Sequence, residues 1–394
     1  MPTHYLCSLK IPKTIIKFFD RARRHCLWAK EEGAGTHHSL ASWSLVCRPK
    51  KHGGLGVINI EIQNKALLLK QLHKFFCHAD IPWVKLVWSI YGAGPPHAQS
   101  PRGSFWWKDV CSLMDIYRSI STSHLGNGTT TLFWKDFWHD GELMCDKLPN
   151  LYSFVLEEDS SVANMASLED PSTAFALPLS TEAYSEYEYS RELLNAYPLD
   201  PTQEDRRSFT WGNDRYTSAR FYKFIFESSI CDPSYNSIWK SKCLPKLKVF
   251  LWLLYYDRLN TKDLMVRKHW VLEDGPACPL CTTGVVETRD HLFFGCSFAA
   301  DCWNLVGIDW DLQRPILDRI RRAQSSFNGA CFLEIFACAV WNIWKVRNEL
   351  IFQNIQPSHG RWKGKFRADL LLHQFRVKKA LVLPLLQWIS DLSS

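Results

Sequence analysis

Cys278-Pro279-Leu280-Cys281, nine residues to His291, and four more to Cys296 form the stretch on which the reading of this chain turns. A Cys-x2-Cys pair lets two thiolates grip one ion from a tight turn, and a later His/Cys pair completes a tetrahedron. Pro279 and Gly284 suit a knuckle turn, and Asp290 or a backbone carbonyl is positioned to orient the His291 imidazole. All four positions are filled by protein, so the pattern describes a closed structural site. Three sulfurs and one nitrogen point to one zinc ion held by Cys278, Cys281, His291 and Cys296. The competing reading is four unrelated buried side chains. Cys302 is a substitute ligand in principle, but Ala299, Cys302, Trp303 and Val306 share a helical face, so it reads as a buried thiol.

Upstream, residues Ile238 to Trp270 hold eight bases (Lys240, Lys242, Lys246, Lys248, Arg258, Lys262, Arg267, Lys268) against two acids. Trp239, Phe250, Trp252, Tyr255, Tyr256 and Trp270 are interleaved with them. Cations neutralise phosphates and exposed aromatics stack on unpaired bases, which makes this the candidate RNA or DNA surface. The bland alternative is a buried aromatic helix with a solvated basic rim. For the aromatics the bland reading is the better one, because Leu244–Tyr256 is apolar on nearly every side.

The chain has 394 residues, 46% apolar and 22% charged, enough for a sizeable core. Its net charge is +7, unevenly placed: residues 151–205 carry twelve acids and one base, while residues 1–70 carry twelve bases and four acids. A basic body with one acidic insert fits a phosphate-rich partner. Met1-Pro2-Thr3-His4-Tyr5 shows no apolar signal core, and the longest apolar run, Val249–Tyr256, is eight residues, too short for a membrane span. An intracellular location, cytoplasm or nucleus, is therefore expected. The fourteen cysteines then read as thiols or metal ligands rather than disulfides.

Helical patterns are expected over residues 11–30 (apolar face Ile15, Ile16, Phe19, Leu27), 64–78, 244–256, 260–268, 313–352 and 361–383, the last two with basic faces, and Ser218 is expected to cap a helix through Phe226. Glu31–His38 reads as a polar loop, Gly126-Asn127-Gly128 as a hairpin turn before Thr129–Trp134, and Gly212-Asn213-Asp214-Arg215 as a second hairpin. The acidic stretch reads as loops and short helices. Asp136, His139 and Asp140 make a weak metal cluster. Gly53-Gly54-Leu55-Gly56 lacks phosphate-loop spacing and reads as a backbone turn, with Lys50 and Lys51 beside it as further phosphate contacts. No nucleophile elbow or zinc-protease motif is present.

Taken as an ordered series, Trp239, Pro245-Lys246, Phe250-Leu251-Trp252, Leu259-Asn260-Thr261, Cys278, Cys281, Glu287-Thr288, His291-Leu292-Phe293, Cys296 and Trp303 resemble the zinc-binding domain that follows the reverse transcriptase in plant non-LTR (long interspersed) retrotransposons. Upstream residues (Asp20, Leu27-Trp28, Trp43, Val46–Lys50, Gly53–Gly56, Asn64–Leu68) are similar to the segment after that polymerase's catalytic core. Gly126–Gly128 with Phe133–Trp138 resembles the connecting region, and Trp341–Trp344, Arg347-Asn348 and Ile351-Phe352 the stretch after the zinc domain. The resemblance implies packing roles for Trp134 and Trp138 and a turn role for Asp136. The family's polymerase needs an aspartate pair for its two metal ions, and no Asp-Asp dipeptide occurs here. What is expected is a truncated, non-enzymatic fragment, mainly α with small β elements, in several parts. Residues 1–92 would be a basic helical remnant, 93–104 a linker, 105–205 a mixed connector with the acidic insert, 206–310 the zinc-stapled helical module and 311–394 a helical basic tail. Its function would be zinc-dependent association with RNA or DNA; the alternative is a zinc-stabilised structural or protein-interaction relic. Oligomeric state is left open.

Overall fold

The computed structural model describes residues 3–28, 39–91, 104–212, 214–329 and 331–392. The expected Glu31–His38 loop, most of the 93–104 linker and Asn213 of the second hairpin lie outside these. The described chain is mainly α-helical, with one two-stranded sheet. It forms two compact units: Met1–Asp20 with Asn59–Ser228, and Arg21–Ile58 with Ser229–Ser394. Residues 1–92 thus divide between the units, and residues 311–394 belong to the same unit as the cysteine motif.

In the first unit, helix α1 (Ile60–Phe76) starts where the Asn59 side chain accepts the Ile62 N–H at 3.1 Å. Ala66, Leu69, Leu72 and Phe76 recur at helical spacing, and all are buried, as are Leu68 and Phe75. Of the face expected for helix Lys13–Trp28, Ile16 is buried but Ile15 and Leu27 are exposed. Strands β1 (Ser121–His124) and β2 (Arg206–Phe209) pair antiparallel, Ser121 opposite Phe209. The pairing is long-range, so neither strand belongs to an expected hairpin. Gly126-Asn127-Gly128 is instead a loop wrapped on a carboxylate. Asp205 accepts from the N–H groups of Gly126 and Gly128 at 2.8 Å, and from the hydroxyls of Thr130 and Thr131 at 2.9 Å. Those hydrogen bonds outweigh burial and hold the Asp205 carboxyl below the usual range.

Asp136 is fully buried between two arginines, with Arg207 Nη2 at 2.8 Å and Arg118 Nε at 3.2 Å, and it also accepts the Leu132 N–H. It is therefore a structural anchor, not a ligand of a His139/Asp140 metal cluster, while Trp134 and Trp138 are buried in one apolar core with Phe133 and Phe175. The acidic stretch holds one long helix that the periodicity hid, α2 (Thr181–Ala196), capped by Ser180. Thr217, not Ser218, caps the helix Ser218–Phe224.

In the second unit, α3 (Pro245–Tyr255) begins with proline at its first turn and buries Leu247 and Phe250 through Tyr255. Each such large apolar side chain contributes about 1.5–3 kcal/mol when fully buried. The Trp252 indole donates to the Gly53 carbonyl at 2.7 Å and the Tyr256 hydroxyl to the same oxygen at 3.0 Å. Gly53 has φ +81°, and a Cβ there would strike the Tyr256 hydroxyl, which is the physical reason for glycine in this turn.

The long helix α5 (Phe332–Gln353) is the hub, with α3, α4 (Ser297–Val306) and α6 (His359–Leu371) packed on it. Where one helix was expected over 313–352 there are two, Ile316–Ser326 and α5. α5 carries no basic face along its first half: Phe332 through Val340 are all buried. The 361–383 pattern likewise divides, into α6 and Lys379–Asp391.

Glu287 and Arg347 are both buried and pair at 2.7 Å, and Glu287 also accepts the Lys262 N–H at 3.0 Å. One carboxylate thus ties the loop before His291 to a helix start and to α5. Glu287→Ala would leave Arg347 charged, buried and unpaired, so urea titration should show a loss of about 3–5 kcal/mol. Arg267→Ala, which removes exposed pairs with Asp257 and Asp263, should change stability by about 1 kcal/mol or less. Equal losses would contradict this assignment.

Candidate metal centre

The knuckle is built from backbone first. The Cys278 N–H donates to the Val285 carbonyl at 2.8 Å, and Ala277 bridges Val286 antiparallel. Gly284, at φ +70°, lets the chain reverse between them. This turn presents Cys278 and Cys281 on one side, with the Thr283 hydroxyl 3.1 Å from Cys281 Sγ. The second pair comes from one π-helical turn, His291–Gly295, closed by the Cys296 N–H donating to the His291 carbonyl at 2.6 Å. A wide turn of this kind sets His291 and Cys296 facing the same point.

The ligand atoms of Cys278, Cys281, His291 and Cys296 all lie within 4.8 Å of one another. Cys278 Sγ is 3.9 Å from Cys296 Sγ, and Cys281 Sγ is 3.3 Å from His291 Nε2. Thiolates about 2.3 Å from a tetrahedral zinc stand roughly 3.8 Å apart, so the cage has the dimensions the ion requires. Cys278 and Cys296 are buried, while Cys281 and His291 are half-buried, so the site lies at the edge of the core. Cys296 precedes α4, and its sulfur accepts from the Cys278 thiol and from the Phe298 and Ala299 N–H groups; these bonds lower its pKa to about 6. Cys278 gives the shared proton and is buried, so its own pKa is pushed up. With four protein ligands the ion would act as a cross-link between the knuckle and α4.

Asp290 does not orient His291. Its carboxylate pairs with Arg289 at 3.1 Å and with buried Arg319 at 3.2 Å. Arg319 also donates to the carbonyls of Asp311, Leu312 and Arg314, a role no sequence pattern announced. Cys302 is fully buried on α4, outside the cluster, with its thiol pushed up by burial.

The eight basic residues separate into distinct groups. Lys240, Lys242, Lys246 and Arg258 are exposed. Lys248 is occupied: its ammonium donates to the carbonyls of Trp239 at 2.9 Å and Ser241 at 2.6 Å. Arg267 is held by Asp257 and Asp263, and Lys268 donates to Asn260 at 3.1 Å. Lys262 is half-buried. Phe250, Trp252 and Tyr255 are core residues, so they stack on nothing outside. Burial lowers the Lys248 pKa, and the neighbouring charges of Arg376, Lys50 and Lys242 lower it further. Arg376, distant in sequence, thus joins the same basic surface.

Residues 216–303 match the family described as zinc-binding in reverse transcriptase. The match contains all four ligands. The chain is also similar to a protein of Arabidopsis thaliana provisionally named a ribonuclease H protein, at 27% identity over 421 aligned positions. That alignment covers 97% of this chain and 63% of the relative, so the chain spans less than two thirds of the relative's length. Together with the cage, the family match makes this a zinc-binding chain, with one zinc as its cofactor.

The purified chain should hold about one zinc, and metal analysis should show loss of it in His291→Ala and Cys281→Ser but retention in Cys302→Ser. Because ligation requires deprotonated thiols, zinc should be released as pH falls. Full retention of metal in both ligand variants would contradict the site.

Proposed function

We propose that the chain is a non-catalytic, zinc-stapled binder of RNA or DNA. In this reading it corresponds to the part of a plant non-LTR retrotransposon reverse transcriptase that follows the catalytic core. The observation that carries the proposal is the basic surface on the second unit. Lys50, Lys242 and Arg376 lie close enough together to depress Lys248, and Lys50, Lys242 and Lys246 have no carboxylate partner among the described residues. Lys50 stands over the Trp239 ring at 5.1 Å and Lys246 over Trp341 at 5.7 Å, both half-buried indoles. Such cations over ring faces suit a sugar-phosphate backbone passing along them. The lack of an Asp-Asp pair supports the absence of polymerase chemistry in these residues.

A second reading, an interaction relic without nucleic-acid binding, is favoured by the occupied bases Lys248 and Arg267 and by the burial of the aromatics. Salt dependence separates the two. If about four cations meet phosphates, fluorescence anisotropy with labelled single-stranded RNA or duplex DNA should show roughly 50- to 150-fold weaker binding at 200 mM than at 50 mM salt. Lys242→Glu and Lys246→Glu should each flatten that dependence by about one contact. No binding at 50 mM would leave the second reading.

A further inference from the structure

The basic surface of the second unit carries a side chain that phosphate contact does not explain. Phe375 is 81% exposed, the most exposed aromatic ring among the described residues. It ends a short 3-10 turn, Leu372–Phe375, that follows α6. The turn is braced from within. His373 is fully buried there, and burial lowers the pKa of its imidazole, so the ring is neutral. Its Nδ1 donates to the Asp369 carbonyl at 3.0 Å, which leaves Nε2 to accept the Leu244 N–H at 3.4 Å. Next to Phe375, Arg376 Nε donates to the Lys242 carbonyl at 3.1 Å. Two hydrogen bonds thus tie the turn that presents Phe375 to the segment that carries Lys242 and leads into α3.

The other aromatic rings near these cations are occupied. Trp239 lies under Lys50, Trp341 lies under Lys246, and Tyr256 stacks on Tyr235 with ring centroids 4.3 Å apart. Phe375, by its exposure, keeps its ring open, and Arg376, Lys378 and Lys379 beside it in the chain are exposed as well. An open phenyl ring among cations matches a single strand in both of its parts. The ring face stacks on an unpaired base, and the cations meet the phosphates on either side. A duplex keeps its base faces stacked on one another and offers such a ring nothing.

Resting on the reading of this surface as a nucleic-acid binder, we infer that Phe375 is its base-stacking residue and that the nucleic acid it takes is single-stranded. The test is anisotropy with the full chain and labelled probes about 12 nucleotides long: a single-stranded DNA, the same sequence in RNA, an abasic strand with the same phosphates, and the DNA duplex. At about 50 mM salt the chain should bind at least one base-bearing strand about 5- to 150-fold more tightly than the abasic strand, and the duplex more weakly than that strand. Phe375→Ala should remove the advantage over the abasic strand while leaving abasic and duplex binding unchanged, and Phe375→Trp should restore it. The position is exposed, and unchanged zinc content and circular dichroism would show that the variants fold. Base-bearing strands bound equally by Phe375→Ala and the parent chain, with salt-sensitive binding of the abasic strand intact, would overturn this inference alone. So would a loss in Phe375→Ala that is equal for strand, abasic and duplex probes, or a duplex bound as tightly as the strands. No binding of any probe would overturn the nucleic-acid reading of the surface as well.

Discussion

A zinc ion held by four ligand atoms that lie within 4.8 Å of one another would fix a region with little regular structure of its own. Between Trp270 and His291 the described chain has no helix or strand, only an isolated bridge at Ala277 and Val286. Such a segment cannot offset its ordering entropy through backbone pairing alone. Zinc held by Cys278, Cys281, His291 and Cys296 would join it to the turn that starts α4, and the buried Glu287–Arg347 pair joins it to α5. The two devices are complementary. The metal would close the knuckle locally, while the ion pair carries the constraint into the core of the second unit. Trp303, whose indole donates to the Phe293 carbonyl at 2.7 Å, pins the π-helical turn between them.

Charge is sorted in the same way as structure. The acidic stretch lies wholly in the first unit, and part of it is consumed internally, as Asp205 in its loop shows. The exposed lysines around α3 lie wholly in the second unit, beside the zinc-stapled core. Each surface therefore has its own electrostatic character.

The metal site was legible in the sequence because its signal is local: ligand type and spacing suffice once the knuckle forms. The buried α3 helix was legible for a similar reason, since an apolar run with proline at its start has one reading. What escaped was long-range. β1 and β2 are separated by the whole acidic stretch, so a local glycine signal at Gly126–Gly128 suggested a hairpin where a distant carboxylate, Asp205, decides the loop. The Asp290 role failed similarly, because Arg319 from another helix competes for it. Lys248 looked like a phosphate ligand by residue type alone. Only the fold shows that its ammonium is occupied by the carbonyls at the end of the preceding helix. Arg376, in turn, reaches the basic surface from a segment no motif covers.

The most direct test of this account is zinc-edge X-ray absorption on the purified full chain. A first shell of three sulfurs at about 2.3 Å and one nitrogen at about 2.0–2.1 Å is predicted. A shell of oxygen and nitrogen only, or a chain that folds fully with no bound metal, would contradict it.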